Sequence, residues 1–254
     1  MIQSVERAFR ILQTVAACDS WMGVREVARA VELKVPTTQN ILKTLTACGY
    51  LEFSPRFRAY RLGLAPLLLV ERSSPIARLA DFVYSDLKRF FDLFGETTIC
   101  CTMLGGRVVI VQTFTSSEPL AVIHSNRVVV HPHCLASGRL LLAYASEELV
   151  TNYIRTTPFE SLGVNLPASG EELLQELAVI RKKRYAEVLN AANQGVGALA
   201  VPVFGPGGDV VLCLACSAPL ARFNAERRKA IRAACEESAR SISEKLGTAM
   251  MCQK

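Results

Sequence analysis

The hydrophobic period of this chain switches from helical to strand-like at Gly49, and the spacing on either side of that switch most constrains what it can fold into. Val5, Ala8, Phe9, Leu12, Val15 and Ala16 recur three and four residues apart, which marks one face of a helix over Ser4–Ala17. Met22–Val24 reads as a short extended lead-in, and Val24, Val27, Ala28 and Val31 then give a second, brief helical stripe. A third starts at Val35-Pro36, where proline suits a first helical turn, and puts Ile41, Leu42, Leu45 and Cys48 on an inward face before Gly49 stops it. The second and third helices are joined only by Glu32–Val35, which is helix-turn-helix spacing. Beyond Gly49, Tyr50–Phe53, the basic turn Ser54–Arg58 and Ala59–Leu62 read as strand, turn and strand, a β-hairpin wing.

A chain of 254 residues has room for more than this one unit. Half of its residues are hydrophobic and a fifth are charged, so it can build two cores and has no compositional reason to stay disordered. The longest apolar runs, such as Leu64–Val70, are far shorter than the roughly 20 residues a membrane span needs. The polar N-terminus lacks a signal-peptide core, and the cytoplasm is the expected location. Nine scattered cysteines without an export signal are expected to be reduced thiols. Cys213 and Cys216 have CxxC spacing, but they lie in the strand-like run Val210–Cys216, where residues three apart face opposite sides. His131, His133 and Cys134 could ligate a metal or serve ordinary loop chemistry; no metal or cofactor is expected.

The formal net charge is +6, and its placement matters more than its size. Residues 1–70 hold nine basic side chains against five acidic ones, so most of the excess lies in the first quarter of the chain, as polyanion binding requires. After the connector Leu64–Glu71 and the break Ser73-Ser74-Pro75, a long amphipathic stripe runs from Ile76 to Gly95. Thr97–Leu104 and Val108–Phe114 follow as a hairpin turned by Gly105-Gly106, and Val196–Phe204 and Val210–Cys216 as a second hairpin around Gly205–Gly208. Helical spacing in Leu140–Ala145, Leu149–Ile154, Leu173–Ile180 and Ile231–Leu246 makes the whole an α+β fold with a mostly antiparallel sheet.

At Gly49-Tyr50-Leu51 and Tyr60-Arg61-Leu62-Gly63 the sequence resembles the IclR (isocitrate lyase regulator) family of bacterial transcription factors. Further matches follow at His133–Ala143, Arg184–Gly208 and Leu214–Pro219, so the similarity spans nearly the whole chain. The resemblance implies a winged helix-turn-helix DNA-binding domain over 1–63, a linker helix over 64–75 and a GAF-like effector-binding domain over 76–250. It also implies homodimers formed through the DNA-binding domains, often paired into tetramers, on operator DNA and under the control of a small-molecule effector.

With the third helix's apolar stripe inward, Gln39, Asn40 and Lys43 lie on the opposite side, where Asn and Gln suit adenine and Lys suits guanine acceptors. Thr37 and Thr38, in the first turn, are placed for phosphate contacts, and Arg56 and Arg58 at the wing tip for the backbone or the minor groove. The family usually has Arg where Asn40 stands and a turn Gly where Glu32 stands, so Glu32 is expected in an ordinary α or bridge conformation.

Carried onto this chain, the family's effector-binding positions fall on Ala136, Ser137, Val188, Ala198, Ala215 and Ser217. Ala136 and Ser137 can still offer backbone N–H groups to an anion, but the Asp, the Cys and one Ser have become Val188, Ala198 and Ala215. That exchange favours a carboxylate with an apolar or aromatic body over glyoxylate- or pyruvate-sized acids. Three histidines, with no HExxH, GxSxG or P-loop, assemble no reactive constellation, so the chain is not expected to be an enzyme. The alternative is a ligand or redox sensor that does not bind DNA specifically.

Overall fold

The structure, a computed structural model, describes residues 2–18, 20–73, 75–124, 128–129, 131–159, 165–191 and 193–251. The chain divides into two compact units, Met1–Pro75 and Ile76–Lys254. Ser74, in the expected break between them, lies outside the described residues.

In the first unit, α1 (Gln3–Ala16), α2 (Val24–Ala30) and α3 (Val35–Ala47) precede a three-stranded antiparallel sheet. Its strands β1 (Met22–Gly23), β2 (Leu51–Ser54) and β3 (Ala59–Leu62) lie in the order β1-β3-β2, and α4 (Ala65–Ser73) follows. Ile11, Val15, Val27, Val31, Leu42, Leu51 and Tyr60 form the core. The apolar stripe of α1 is wider than that core needs. Ile11 and Val15 are buried, whereas Val5 is 50% and Phe9 60% exposed, because they sit further round the helix than the residues α2 and α3 cover.

Two positions of α3 reverse the sequence expectation. Thr38, one turn before Leu42, is fully buried, and its hydroxyl donates to the Lys34 carbonyl at 3.2 Å. It fills the core and is closed off from phosphate. Cys48, expected inward, is exposed because the helix ends at Ala47 and the chain turns away at Gly49, where φ is +76°.

Glu32 corrects a third expectation. Its φ is +53°, so the turn between α2 and α3 holds the left-handed conformation without the glycine that suits it. The Leu33 N–H donates to the Ala28 carbonyl at 3.0 Å, which closes α2 and compels that geometry. Glu32→Gly should therefore stabilise the unit by roughly 0.5–1 kcal/mol, the left-handed strain less the added freedom of the unfolded chain. A rise in the urea midpoint at unchanged m would show it, and a fall would mean the strain is absent.

The second unit is a six-stranded, wholly antiparallel sheet in the order β6-β5-β4-β9-β8-β7. Its strands are β4 (Thr97–Leu104), β5 (Arg107–Phe114), β6 (Val128–Val129), β7 (Ala186–Leu189), β8 (Val196–Phe204) and β9 (Val210–Pro219). One face packs on α6 (Ala136–Tyr144), α7 (Glu147–Thr156) and α8 (Gly170–Lys183). The other packs on α5 (Pro75–Phe94) and α9 (Ala225–Met251).

Strand alternation sorts residues between the two faces. Ile99, Cys101, Cys213 and Ala215 enter the α6–α8 side, while Cys100, Leu214 and Cys216 enter the α5–α9 side. Cys213 and Cys216 therefore lie on opposite faces, as their spacing in a strand requires. Two buried carboxylates are also paired: Asp86 of α5 accepts from Lys245 and Ser241 of α9, which joins the two helices of that face, and Glu96 is gripped by Arg222 at 2.7 and 2.9 Å.

Candidate nucleic-acid interface and effector cavity

The outer face of α3 follows from what its inner face buries. With Thr38 and Leu42 in the core, Gln39, Asn40 and Lys43 project into solvent, and Thr37 is half-buried at the edge of that face. The wing is braced by stacked side chains. The Arg61 guanidinium, held to Glu52 at 2.7 Å, lies 4.6 Å above the Trp21 ring; Trp21 packs 5.9 Å from Phe57, and Arg56 sits 5.4 Å from Phe57. Arg56 and Arg58 are exposed at the tip, free of ion pairs among the described residues. Sequence reasoning did not assign Trp21 and Arg61 to this brace. Their signal is weak, because the two are 40 positions apart and meet only through the pairing of β1 with β3.

Because Asn40 faces outward and away from the core, Asn40→Ala should leave the urea midpoint unchanged and relax discrimination at one base position by about 1–3 kcal/mol. Binding measured across a set of single-base operator variants would show it. An unaltered preference would remove Asn40 as a base reader.

In the second unit, strand register assembles a row. Val188 of β7 lies opposite Ala198 of β8, Ala198 opposite Ser217 of β9, and Ser217 opposite Thr97 of β4. Above this row is a cavity of about 50 Å³, lined by Val188, Ala198 and Ser217, by Leu135 and Ala136 at the amino end of α6, and by Val122, His124, Cys134, Ala191, Asn193 and Val196. Ser137 is buried in the first turn of α6. Ala215 is buried beneath, opposite Ala200, in the core under α6–α8 and does not line the cavity. Val122 and His124 come from a connector with no periodic pattern, so spacing could not have found them.

The segment before α6 is tightly held. His133 is buried, its Nδ1 meets the Tyr153 hydroxyl, and its ring lies 5.1 Å from Phe159. Burial, with the nearby His131 and Arg139, lowers its pKa to about 4, so the ring is neutral near neutral pH. Arg139 donates to the His133 carbonyl at 2.7 Å and to Glu176 at 2.7 Å. His133 thus does structural work, and among the described residues no three His, Cys, Asp or Glu side chains are arranged to hold a metal. Burial also pushes the thiols of Cys100, Cys213 and Cys235 well up, and that of Cys216 up to about 12, which leaves these four with little reactive thiolate.

A basic winged helix-turn-helix, with a separate α+β unit in the same chain, defines a DNA-binding protein. The description "Bacterial transcriptional regulator IclR C-terminal" matches residues 72–244, and "IclR helix-turn-helix domain" matches residues 4–55. The chain belongs to the IclR family of DNA-binding transcriptional regulators. It is 27% identical over 254 residues to the HTH-type transcriptional regulator KdgR of Dickeya chrysanthemi, covering 97% of this chain and 80% of that one.

A solved IclR transcriptional regulator from a Silicibacter species superposes with a TM-score of 0.84 at 23% identity, covering 96% of each chain. An IclR homologue from Microbacterium hydrocarbonoxydans, complexed with 4-hydroxybenzoate, gives 0.74 at 21% identity over 96% of this chain and 98% of that one. The families and relatives are regulators and not enzymes, and a sensor without DNA binding is set aside. Among the described residues no helix is long and apolar enough to cross a membrane.

Proposed function

We propose that the protein binds a pseudo-palindromic operator as a homodimer or a pair of dimers, and that a carboxylate held at the amino end of α6 modulates that binding. The observation that carries the DNA half is the exposed set Gln39, Asn40 and Lys43 beside the wing arginines Arg56 and Arg58, with Thr37 at its edge. Twofold proteins read twofold sites. The dimer is supported by an apolar groove of about 530 Å³ in the first unit, lined by Val5, Phe9, Leu12, Ile41, Leu45 and Leu69, which that unit leaves uncovered.

The effector half rests on the open first-turn amides of α6 around Ala136 and Ser137, which favour an anion. The wall of Val122, Leu135, Val188, Val196 and Ala198 then favours an apolar body on the same molecule. The bound 4-hydroxybenzoate of the Microbacterium homologue supports an aromatic acid. An aromatic ring requires the walls at Val122 and His124 and at Ala191, Asn193 and Val196 to part, because about 50 Å³ holds only roughly three to five waters. That volume favours a second reading, a two- or three-carbon oxo-acid that fits the cavity as it stands.

A mobility shift with DNA flanking the protein's own gene, repeated over a salt series, tests the first half, since phosphate contacts make affinity fall steeply with salt. Calorimetric titration with glyoxylate, pyruvate, benzoate and phenylacetate tests the second. Tighter binding of the aromatic acids supports the apolar body, tighter binding of the short acids replaces it with the second reading, and silence across the panel overturns both.

A further inference from the structure

The cavity wall that carries Val122 and His124 holds a polar atom with no hydrogen-bond partner among the described residues. At the start of β4 the buried Thr97 hydroxyl donates to the Val122 carbonyl at 2.7 Å and accepts from the Ser116 N–H at 3.0 Å, which fixes the chain two residues before His124. The His124 ring lines the cavity with its Nε2 sealed from solvent and, among the described residues, without a hydrogen-bond partner. Burial lowers its pKa below the usual 6.5, so the ring is neutral near neutral pH and carries one donor and one acceptor nitrogen. Of the other polar side chains in the cavity, Cys134 already meets the His133 Nε2 at 3.7 Å, the Ser217 hydroxyl stands on the sheet, and Asn193 is exposed to solvent.

A buried group left without a partner penalises every state in which it stays so, and a ligand that supplies the partner is favoured over one that does not. A carboxylate can only accept, so it pairs with Nε2 in one tautomer alone and is already drawn to the α6 amides. A methyl group or ring edge leaves Nε2 unpaired. A hydroxyl can donate or accept, so it satisfies Nε2 in either tautomer. We propose that His124 is the specificity-determining contact for a hydroxyl group on the effector, so that this protein responds to a hydroxy acid in preference to the same acid without the hydroxyl. This rests on the effector reading above, with the carboxylate at α6.

The test uses the full chain and two matched pairs of acids, lactate with propionate and para-hydroxyphenylacetate with phenylacetate, titrated calorimetrically. The wild-type protein is expected to bind the hydroxylated member of at least one pair about ten- to a hundredfold more tightly. His124→Leu should abolish that preference, so that the two members of the pair bind within a few-fold of each other, and Ser217→Ala should retain it.

Should the leucine variant fail to fold, imidazole nitrogen NMR of the wild type gives a second reading, since the chain has three histidines: one ring should shift with the hydroxy acid and not with its partner. Binding of the plain acids without any hydroxyl preference, or a preference that survives His124→Leu, overturns the role of His124 and leaves the effector reading standing. A preference lost in Ser217→Ala but kept in His124→Leu moves the contact to Ser217. No binding of any of the four acids overturns the effector reading, and the role of His124 falls with it.

Discussion

Gly138→Ala should destabilise the C-terminal unit by about 3 kcal/mol or more, a fall in melting temperature of roughly 6–12 °C, and should abolish any effector response. A Cβ at this position would stand 2.0 Å from the Pro132 carbonyl oxygen and 2.5 Å from the Pro132 carbonyl carbon and Cα. Those atoms are backbone and cannot rotate aside. The segment that carries them is held at several points: the Leu135 N–H donates to the Pro132 carbonyl at 3.0 Å, Arg139 holds the His133 carbonyl and Glu176, and His133 meets Tyr153. Moving Pro132 would break buried contacts of Arg139, and moving α6 would open the core around Leu140 and Leu142. Thermal unfolding of the variant checks the expectation. A loss below about 1 kcal/mol would show that the turn yields where the geometry says it cannot.

Replacing both Arg56 and Arg58 with alanine should weaken binding to every DNA sequence and reduce the slope of log affinity against log salt by roughly two units, close to 0.9 for each phosphate contact removed. Specific and non-specific binding should fall together, because the wing tip carries charge and no base-reading geometry. The change should not disturb the fold: both side chains are exposed, and the brace of Arg61 on Trp21 and Trp21 on Phe57 remains. Trp21 is the single tryptophan, so its fluorescence reports on the wing and should be the same in the variant without DNA. An unchanged salt slope would mean that the hairpin stays clear of the phosphates. Loss of the two arginines thus lowers all binding, whereas Asn40→Ala lowers discrimination.

Much of the architecture is legible in the sequence. A helical repeat commits a segment to one apolar face, and a strand repeat commits alternate residues to opposite faces; these periods located α1–α3, the wing and the two long hairpins. They also assigned Cys213 and Cys216 to opposite sides of the sheet. Of the positions carried over for effector binding, Ala136, Val188, Ala198 and Ser217 meet around one cavity, because alignment preserves strand register even where the side chains have changed.

Periodicity says which face is apolar but not what will cover it. Only the packing of α2 and α3 against α1 decided that Ile11 and Val15 are core while Val5 and Phe9 stay exposed, and that Thr38 is buried as deeply as Leu42. Glu32 took a left-handed conformation against its own preference, because closing the turn between two packed helices outweighs a local strain of about 1–2 kcal/mol. His124 and Val122 reached the cavity from an aperiodic connector pinned by Thr97, a residue on another strand. The local pattern of residues thus determined the elements and their faces, whereas long-range contacts, which no short window of sequence contains, decided which residues share a site.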